Sequence, residues 1–100
     1  MINLENLKNI INEIMENENQ DLKDLVSNIV IAIDKLPTDE ITTIAKLIGY
    51  NPENSMVDPL TQGKVFSCVR RVCKTLNIMI EKTYDGFGGL AYNYDFKKIN

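Results

Sequence analysis

The sequence predicts a mainly α-helical domain of the α+β class that ends in a β-hairpin. Apolar residues recur every three or four positions in three segments, which is the period of an amphipathic helix. The C-terminal segment instead alternates apolar and polar residues, which is the period of a half-buried strand, and a glycine-rich turn interrupts this alternation. A chain of 100 residues has the length of a single domain.

The first element is an amphipathic helix from Ile2 to Met15, predicted as an N-terminal addition (residues 1–18) to the main domain (residues 19–100). Its apolar stripe consists of Leu4, Leu7, Ile11 and Ile14, and Ile10 widens it. Such a stripe packs either on the chain's own core or on its copy in a second chain, as in a coiled coil. The sequence leaves both alternatives open, and the second predicts a homodimer in which these four residues bind the partner.

A second helix is predicted from about Asp21 to Leu36. Its apolar stripe consists of Leu22, Leu25, Ile29, Ile33 and Leu36, with Val26 and Val30 beside it. Asn19 is the expected N-cap, because its side chain can accept a backbone N–H that the first helical turn leaves unpaired. Pro37 ends the helix, because proline lacks the backbone donor that the next turn would need.

The segment after the second helix has two interpretations. β-Branched residues at positions 41–43 favour a short strand, after which Thr43 caps a short helix from Ile44 to Ile48. Gly49 then ends this helix. The alternative is a single helix from Asp39 to Ile48.

A long helix begins at Asp58 and Pro59, after a loop from Tyr50 to Val57, and runs to about Leu76. Aspartate is a favoured N-cap, and proline is a favoured first helical residue. The predicted buried side consists of Val65, Phe66, Cys68, Val69, Val72, Cys73 and Leu76. The opposite side carries Lys64, Ser67, Arg70, Arg71 and Lys74. We interpret the two cysteines as small buried hydrophobic residues, because their spacing on a helix prevents them from bridging each other.

The C-terminal segment is predicted as two strands, Ile78 to Tyr84 and Leu90 to Lys97, joined by the glycine-rich turn Asp85 to Gly89. An isolated hairpin is only marginally stable in water. We therefore expect its apolar face to pack on the helices, and the short strand near residues 41–43 to cover one of its edges. The inward face consists of Ile78, Ile80, Leu90, Tyr92 and Tyr94.

The composition argues against several classes of function. The chain contains no histidine, which removes the commonest metal ligand and the usual general base, and it has no glycine-rich phosphate-binding motif. No pair of carboxylates is placed for catalysis, so we expect neither an enzyme nor a bound metal or cofactor. The sequence lacks the long apolar run of a membrane span and the basic, apolar start of a secretory signal, which predicts a cytoplasmic protein.

Charge is divided unevenly along the chain. Residues 1–59 contain four lysines and eleven acidic residues, a balance of −7. Residues 60–100 contain seven lysines or arginines and three acidic residues, a balance of +4. Such a division predicts an acidic half and a basic half with different roles.

The order helix, short strand, helix, helix, strand, turn, strand resembles a winged helix. The segments that carry the resemblance are LPTDEITTIAKLIG (Leu36–Gly49), DPLTQGKVFSCVRRVCKTL (Asp58–Leu76) and NIMIEKTYDGFGGLAYNYDF (Asn77–Phe96). The chain looks like the short winged-helix proteins of phages and mobile elements in AT-rich bacteria. The resemblance implies a small DNA-binding regulator whose third core helix enters the major groove of double-stranded DNA, while the hairpin, or wing, touches the backbone.

The resemblance also implies which residues contact DNA. They are Lys64, Ser67, Arg70, Arg71 and Lys74 on the helix and Lys82 on the wing, and Lys97 and Lys98 add positive charge on or after the wing strands. Arginine and lysine can bind phosphates and can pair with guanine. A dimer would suit this function, because a two-fold protein matches a two-fold DNA site.

A protein-binding module on the same scaffold is the alternative hypothesis, such as a phage-type inhibitor, antitoxin or adaptor without DNA contact. The turn Asp85 to Gly89 carries an acid and no basic residue, which favours this alternative. The acidic helices would then mimic nucleic acid or engage a basic partner. Phe87, a large apolar side chain flanked by glycines, would anchor the contact.

Overall fold

In the computed structural model, which describes residues 2–50, 57–84 and 90–100, the chain forms helices packed on a small antiparallel sheet. The elements in chain order are α1 (Leu4–Ile14), α2 (Gln20–Asp34), β1 (Ile41–Thr42), α3 (Ile44–Ile48), α4 (Pro59–Thr75), β2 (Ile80–Tyr84), a 3-10 turn (Ala91–Asn93) and β3 (Asp95–Lys98). This is the α+β class that the sequence predicts. Within the described ranges, no helix has both the length and the apolar character that crossing a bilayer requires.

The helix caps that the sequence predicts are present. Asn19 Oδ1 accepts the backbone N–H of Leu22 at 2.8 Å, and Thr43 caps α3 in the same way. Asp58 accepts both the backbone N–H and the hydroxyl of Thr61, at 2.9 and 2.7 Å. These two bonds lower the pKa of Asp58, so the carboxylate that caps α4 is ionised at neutral pH.

The segment before α3 contains a strand, and the alternative of one helix from Asp39 to Ile48 is wrong. Asp39 has a φ of 68°, which an α-helix excludes. Both residues of β1 pair with β3, so β1 covers the edge of β3 that β2 leaves open. Gly49 ends α3 with a φ of 66°, a left-handed conformation that glycine adopts at little steric cost.

The second strand of the hairpin is shorter than predicted. It begins at Asp95 and not at Leu90, because the 3-10 turn precedes it. Ala91 and Tyr92 are both buried, at 7% and 1% exposure. Neighbouring residues of one strand point to opposite sides of a sheet, so a strand could not bury both of them on the helix-facing side. Leu90 is 37% exposed and does not belong to the inward face.

The core lies between the helices and the inner side of the sheet. It includes Leu7, Ile11, Met15, Val26, Ile29, Val30, Ile33, Ile44, Val65, Val69, Val72, Tyr92 and Phe96. Leu7 and Ile11 of the α1 stripe are 1% and 3% exposed, Ile14 is partly buried against the core, and Leu4 is 65% exposed. The stripe therefore packs mainly on the chain's own core, one of the two alternatives that the sequence leaves open.

Candidate nucleic-acid interface

One side of α4 presents positive charge to solvent. The helix contains no acidic residue. We refer to Lys64, Ser67, Arg70, Arg71 and Lys74, which are all exposed, as the α4 cationic face. Val65, Val69 and Val72 lie on the opposite side, at 1% exposure or less. Because the valine side is packed in the core, the α4 cationic face on the other side of the helix faces the solvent.

The cations of this face differ in their partners. Lys64 Nζ lies 3.2 Å from a carboxylate oxygen of Glu18, which follows α1. The pair is partly solvent-exposed. Among the residues that the structure describes, no carboxylate lies within 4.0 Å of the charged nitrogens of Arg70, Arg71 or Lys74. These three side chains are therefore available to bind an anion.

The lysines of the hairpin strands are used differently from one another. Lys82 Nζ lies 4.5 Å from the centroid of the Tyr94 ring, a cation–π contact. Lys98 Nζ donates to two backbone carbonyls at the C-terminal end of α2, at 2.8 and 3.3 Å, where a cation is favoured by the helix dipole. Lys97 pairs with Asp39 at 3.8 Å. Lys97 and Lys98 thus contact the α2–β1 region.

Two clefts border the α4 cationic face, and Arg70 and Arg71 line both of them. The larger has a volume of about 470 Å³ and lies between α4 and the residues that precede β3. Its other lining residues are Pro59, Gly63, Phe66, Ser67, Leu90, Ala91 and Tyr94. The smaller, about 240 Å³, lies between α4 and the start of β2, where Ile78, Met79 and Ile80 line it together with Lys74. The two guanidinium groups therefore stand beside apolar surface.

The thiols of this region are packing groups. Cys68 and Cys73 are free and buried, as the sequence predicts. Burial raises the pKa of both thiols, and with a smaller contribution from the Asp34 carboxylate it raises the pKa of Cys73 to about 12. Both therefore remain protonated near neutral pH. In the part of the chain that the structure describes, no cluster of three or more His, Cys, Asp or Glu side chains is arranged to hold a metal ion.

The sequence interpretation missed Gln62, which is 0% exposed. Its Oε1 accepts the backbone N–H of Tyr92 at 3.2 Å, and its Nε2 donates to the backbone carbonyl of Val57 at 2.8 Å. A signal was present, because Gln62 precedes the buried residues Val65 and Phe66 at helical spacings of three and four and so falls on the buried side. The Glu18–Lys64 pair had no such signal, since 46 positions separate the two residues.

Phe87, the predicted anchor of a partner contact, lies outside the described residues, as does the whole turn Asp85 to Gly89. Comparison of the chain with known protein families, curated proteins and solved structures gave no match. The surface of α4 and its neighbours in the fold are therefore the observations that bear on function.

Proposed function

We propose that this chain is a winged-helix protein that binds double-stranded DNA through the α4 cationic face and acts as a small regulator. The observation that carries the proposal is the exposed set Arg70, Arg71 and Lys74, which has no carboxylate in ion-pair range among the described residues. Phosphate contacts from such cations supply most of the affinity of DNA-binding proteins.

The arrangement of elements supports the same proposal. From α2 onward the order is helix, strand, helix, helix, strand, strand, and β3 pairs with both β1 and β2. In the proposed complex α4 is the helix in the major groove, and β2 and β3 form the wing. The 17 residues of α4 span roughly 25 Å at about 1.5 Å per residue, and the width of the groove admits one helix.

The division of charge supports a single orientation on DNA. The acidic residues of α1 and α2 include the exposed Glu5, Glu13, Asp21 and Asp24, which repel phosphate. The α4 cationic face attracts phosphate. A chain with a formal net charge of −3 would therefore approach DNA by this face.

The experiment measures the affinity for a fluorescent duplex of mixed sequence between about 50 and 200 mM salt. The test variant carries Arg70→Ala, Arg71→Ala and Lys74→Ala. The matched control removes three exposed lysines elsewhere, by Lys8→Ala, Lys35→Ala and Lys46→Ala, and so changes the net charge equally.

We expect the wild type and the control to bind with similar affinity and similar dependence on salt. The plot of log K against log salt has a negative slope, to which each phosphate contact contributes roughly −0.9. In the test variant, which loses three cations, the slope should become shallower by about 2.7. Absence of wild-type binding at low salt, or an equal loss in the test and control variants, would overturn the proposal.

A further inference from the structure

The two clefts beside α4 form one surface with a defined chemistry. Their lining is largely apolar, and Leu90 and Met79 remain 37% and 54% exposed at the larger and the smaller cleft. Arg70 and Arg71 stand between the two clefts as shared lining residues. An apolar pocket bordered by arginine is the composition typical of the energetically dominant part of a protein interface.

The positive charge of this surface indicates which kind of partner segment it would bind. No carboxylate of the described residues neutralises Arg70, Arg71 or Lys74, which all line one or both clefts. A segment that carries acidic side chains next to an apolar one would satisfy both parts of the surface. Arginine suits carboxylates in particular, because its planar group donates two parallel hydrogen bonds to the two oxygens.

An unpaired nucleotide base suits the larger cleft less well, because its aromatic residues are already engaged. Phe66 is 6% exposed and makes edge-on contacts with Tyr94 and Phe96, at centroid distances of 5.8 and 5.9 Å. The Tyr94 ring also carries the Lys82 ammonium at 4.5 Å. These rings are packed walls of the cleft, whereas base recognition by stacking needs an open ring face.

We infer that the paired clefts bind a short acidic segment of a partner protein, which seats an apolar side chain beside Gly63 and pairs its carboxylates with Arg70 and Arg71. This interaction goes beyond DNA binding. Because the same two arginines belong to the α4 cationic face, the segment and duplex DNA compete for the protein. The partner would thus act as an inhibitor of DNA binding.

Gly63 permits a test that leaves the charges unchanged. Among the described residues, a Cβ atom at this position meets nothing within 4 Å, and Gly63 lines the larger cleft, so Gly63→Leu adds bulk at the cleft wall. Thr75→Leu is the matched control, because it adds an apolar side chain to an exposed position of the same helix. Twelve residues separate the two positions, which places them about 120° apart around the helix axis.

The experiment selects binders from random peptides displayed on phage, with the full chain as bait, and measures the affinity of the selected peptides for each variant. We expect a consensus of acidic residues next to a large apolar one. Affinity should fall about tenfold or more in Gly63→Leu and in the Arg70→Ala, Arg71→Ala double variant, and should stay within about twofold in Thr75→Leu. Selected peptides should also displace a fluorescent duplex.

Three results would overturn the inference: no enriched peptide, a consensus without acidic residues, or peptides that bind Gly63→Leu as tightly as the wild type. Each of them leaves DNA binding untouched, since that is measured separately with the duplex alone. Conversely, peptides of the expected kind that bind a protein with no affinity for duplex DNA would support the peptide site and contradict the DNA-binding function.

Discussion

The buried side-chain oxygen of Gln62 accepts the backbone N–H of Tyr92 at 3.2 Å and so joins α4 to the 3-10 turn. The same side chain donates to Val57 at the start of the helix. One amide thus ties together the loop before α4, the helix and the turn that leads into β3. This tie fixes the wall of the larger cleft opposite Gly63.

Replacing Gln62 with leucine should destabilise the fold. The substitution keeps the approximate size of the side chain but leaves the Tyr92 N–H without its partner in the interior. We expect the free energy of unfolding to fall by about 2 kcal/mol, the usual cost of one buried unpaired donor. Urea unfolding followed by circular dichroism measures it.

The matched control is Gln20→Leu, the same substitution at an exposed position of α2. It should change the free energy of unfolding by no more than about 0.5 kcal/mol. Equal effects of the two substitutions would mean that the buried amide contributes nothing specific.

Removing the charge of Glu18 should strengthen DNA binding. Glu18 lies 3.2 Å from Lys64 and competes with phosphate for this lysine. We expect Glu18→Gln to raise the affinity for a duplex by up to about fivefold, which corresponds to the ~1 kcal/mol that an exposed ion pair contributes at most. The salt slope should steepen by about 0.9, for one additional phosphate contact.

The control is Glu13→Gln, which removes an equal charge from the exposed side of α1. Any gain shared by both variants reports the general decrease in negative charge. Only the additional gain in Glu18→Gln measures the release of Lys64, and a zero difference contradicts the prediction.

The buried thiol of Cys73 should make the fold less stable at alkaline pH. Its thiol has a pKa of about 12 in the fold and 9.0 as its ordinary value, so between these two values the unfolded chain binds fewer protons than the folded chain. The contribution of this thiol to the free energy of unfolding is therefore fully present below about pH 9 and is lost as the pH rises towards 12. The slope contributed by one such group is at most about 1.4 kcal/mol per pH unit.

We expect Cys73→Ala to reduce this slope above pH 9, whatever its effect on stability at neutral pH. Cys68→Ala should reduce the slope less, because Cys68 is less deeply buried, at 9% exposure against 0% for Cys73, and burial is the main cause that raises the pKa of both thiols. The remaining slope comes partly from Tyr92, whose pKa burial also raises. Urea unfolding at several pH values measures the slope, and a Cys73→Ala slope equal to that of the wild type contradicts the assignment.

Leu7 distinguishes the two roles of the α1 stripe. Leu7 is 1% exposed in the chain's own core, so Leu7→Ala should lower the free energy of unfolding by about 2 to 4 kcal/mol. The midpoint of thermal unfolding should not depend on protein concentration. If α1 instead paired with a second copy, the midpoint would rise with concentration and Leu7→Ala would abolish that rise.

The sequence alone determined the local structure. The helix caps at Asn19 and Asp58 and the helix end at Gly49 depend on interactions within four residues, so the residues themselves predict them. The cap at Thr43 was predicted in one of the two interpretations of its segment. The cationic side of α4 could also be predicted from the sequence, because helical spacing places Lys64 and Arg71 on a different side of the helix from the buried valines.

The tertiary structure decided whatever joins distant parts of the chain. It turned the residues after Leu90 into a 3-10 turn, since Ala91 and Tyr92 must both enter a core formed mainly by other elements. It also paired Lys64 with Glu18 and directed Lys98 to the end of α2. No local pattern specifies such contacts, because they form only when the packing of the helices brings the partners within reach.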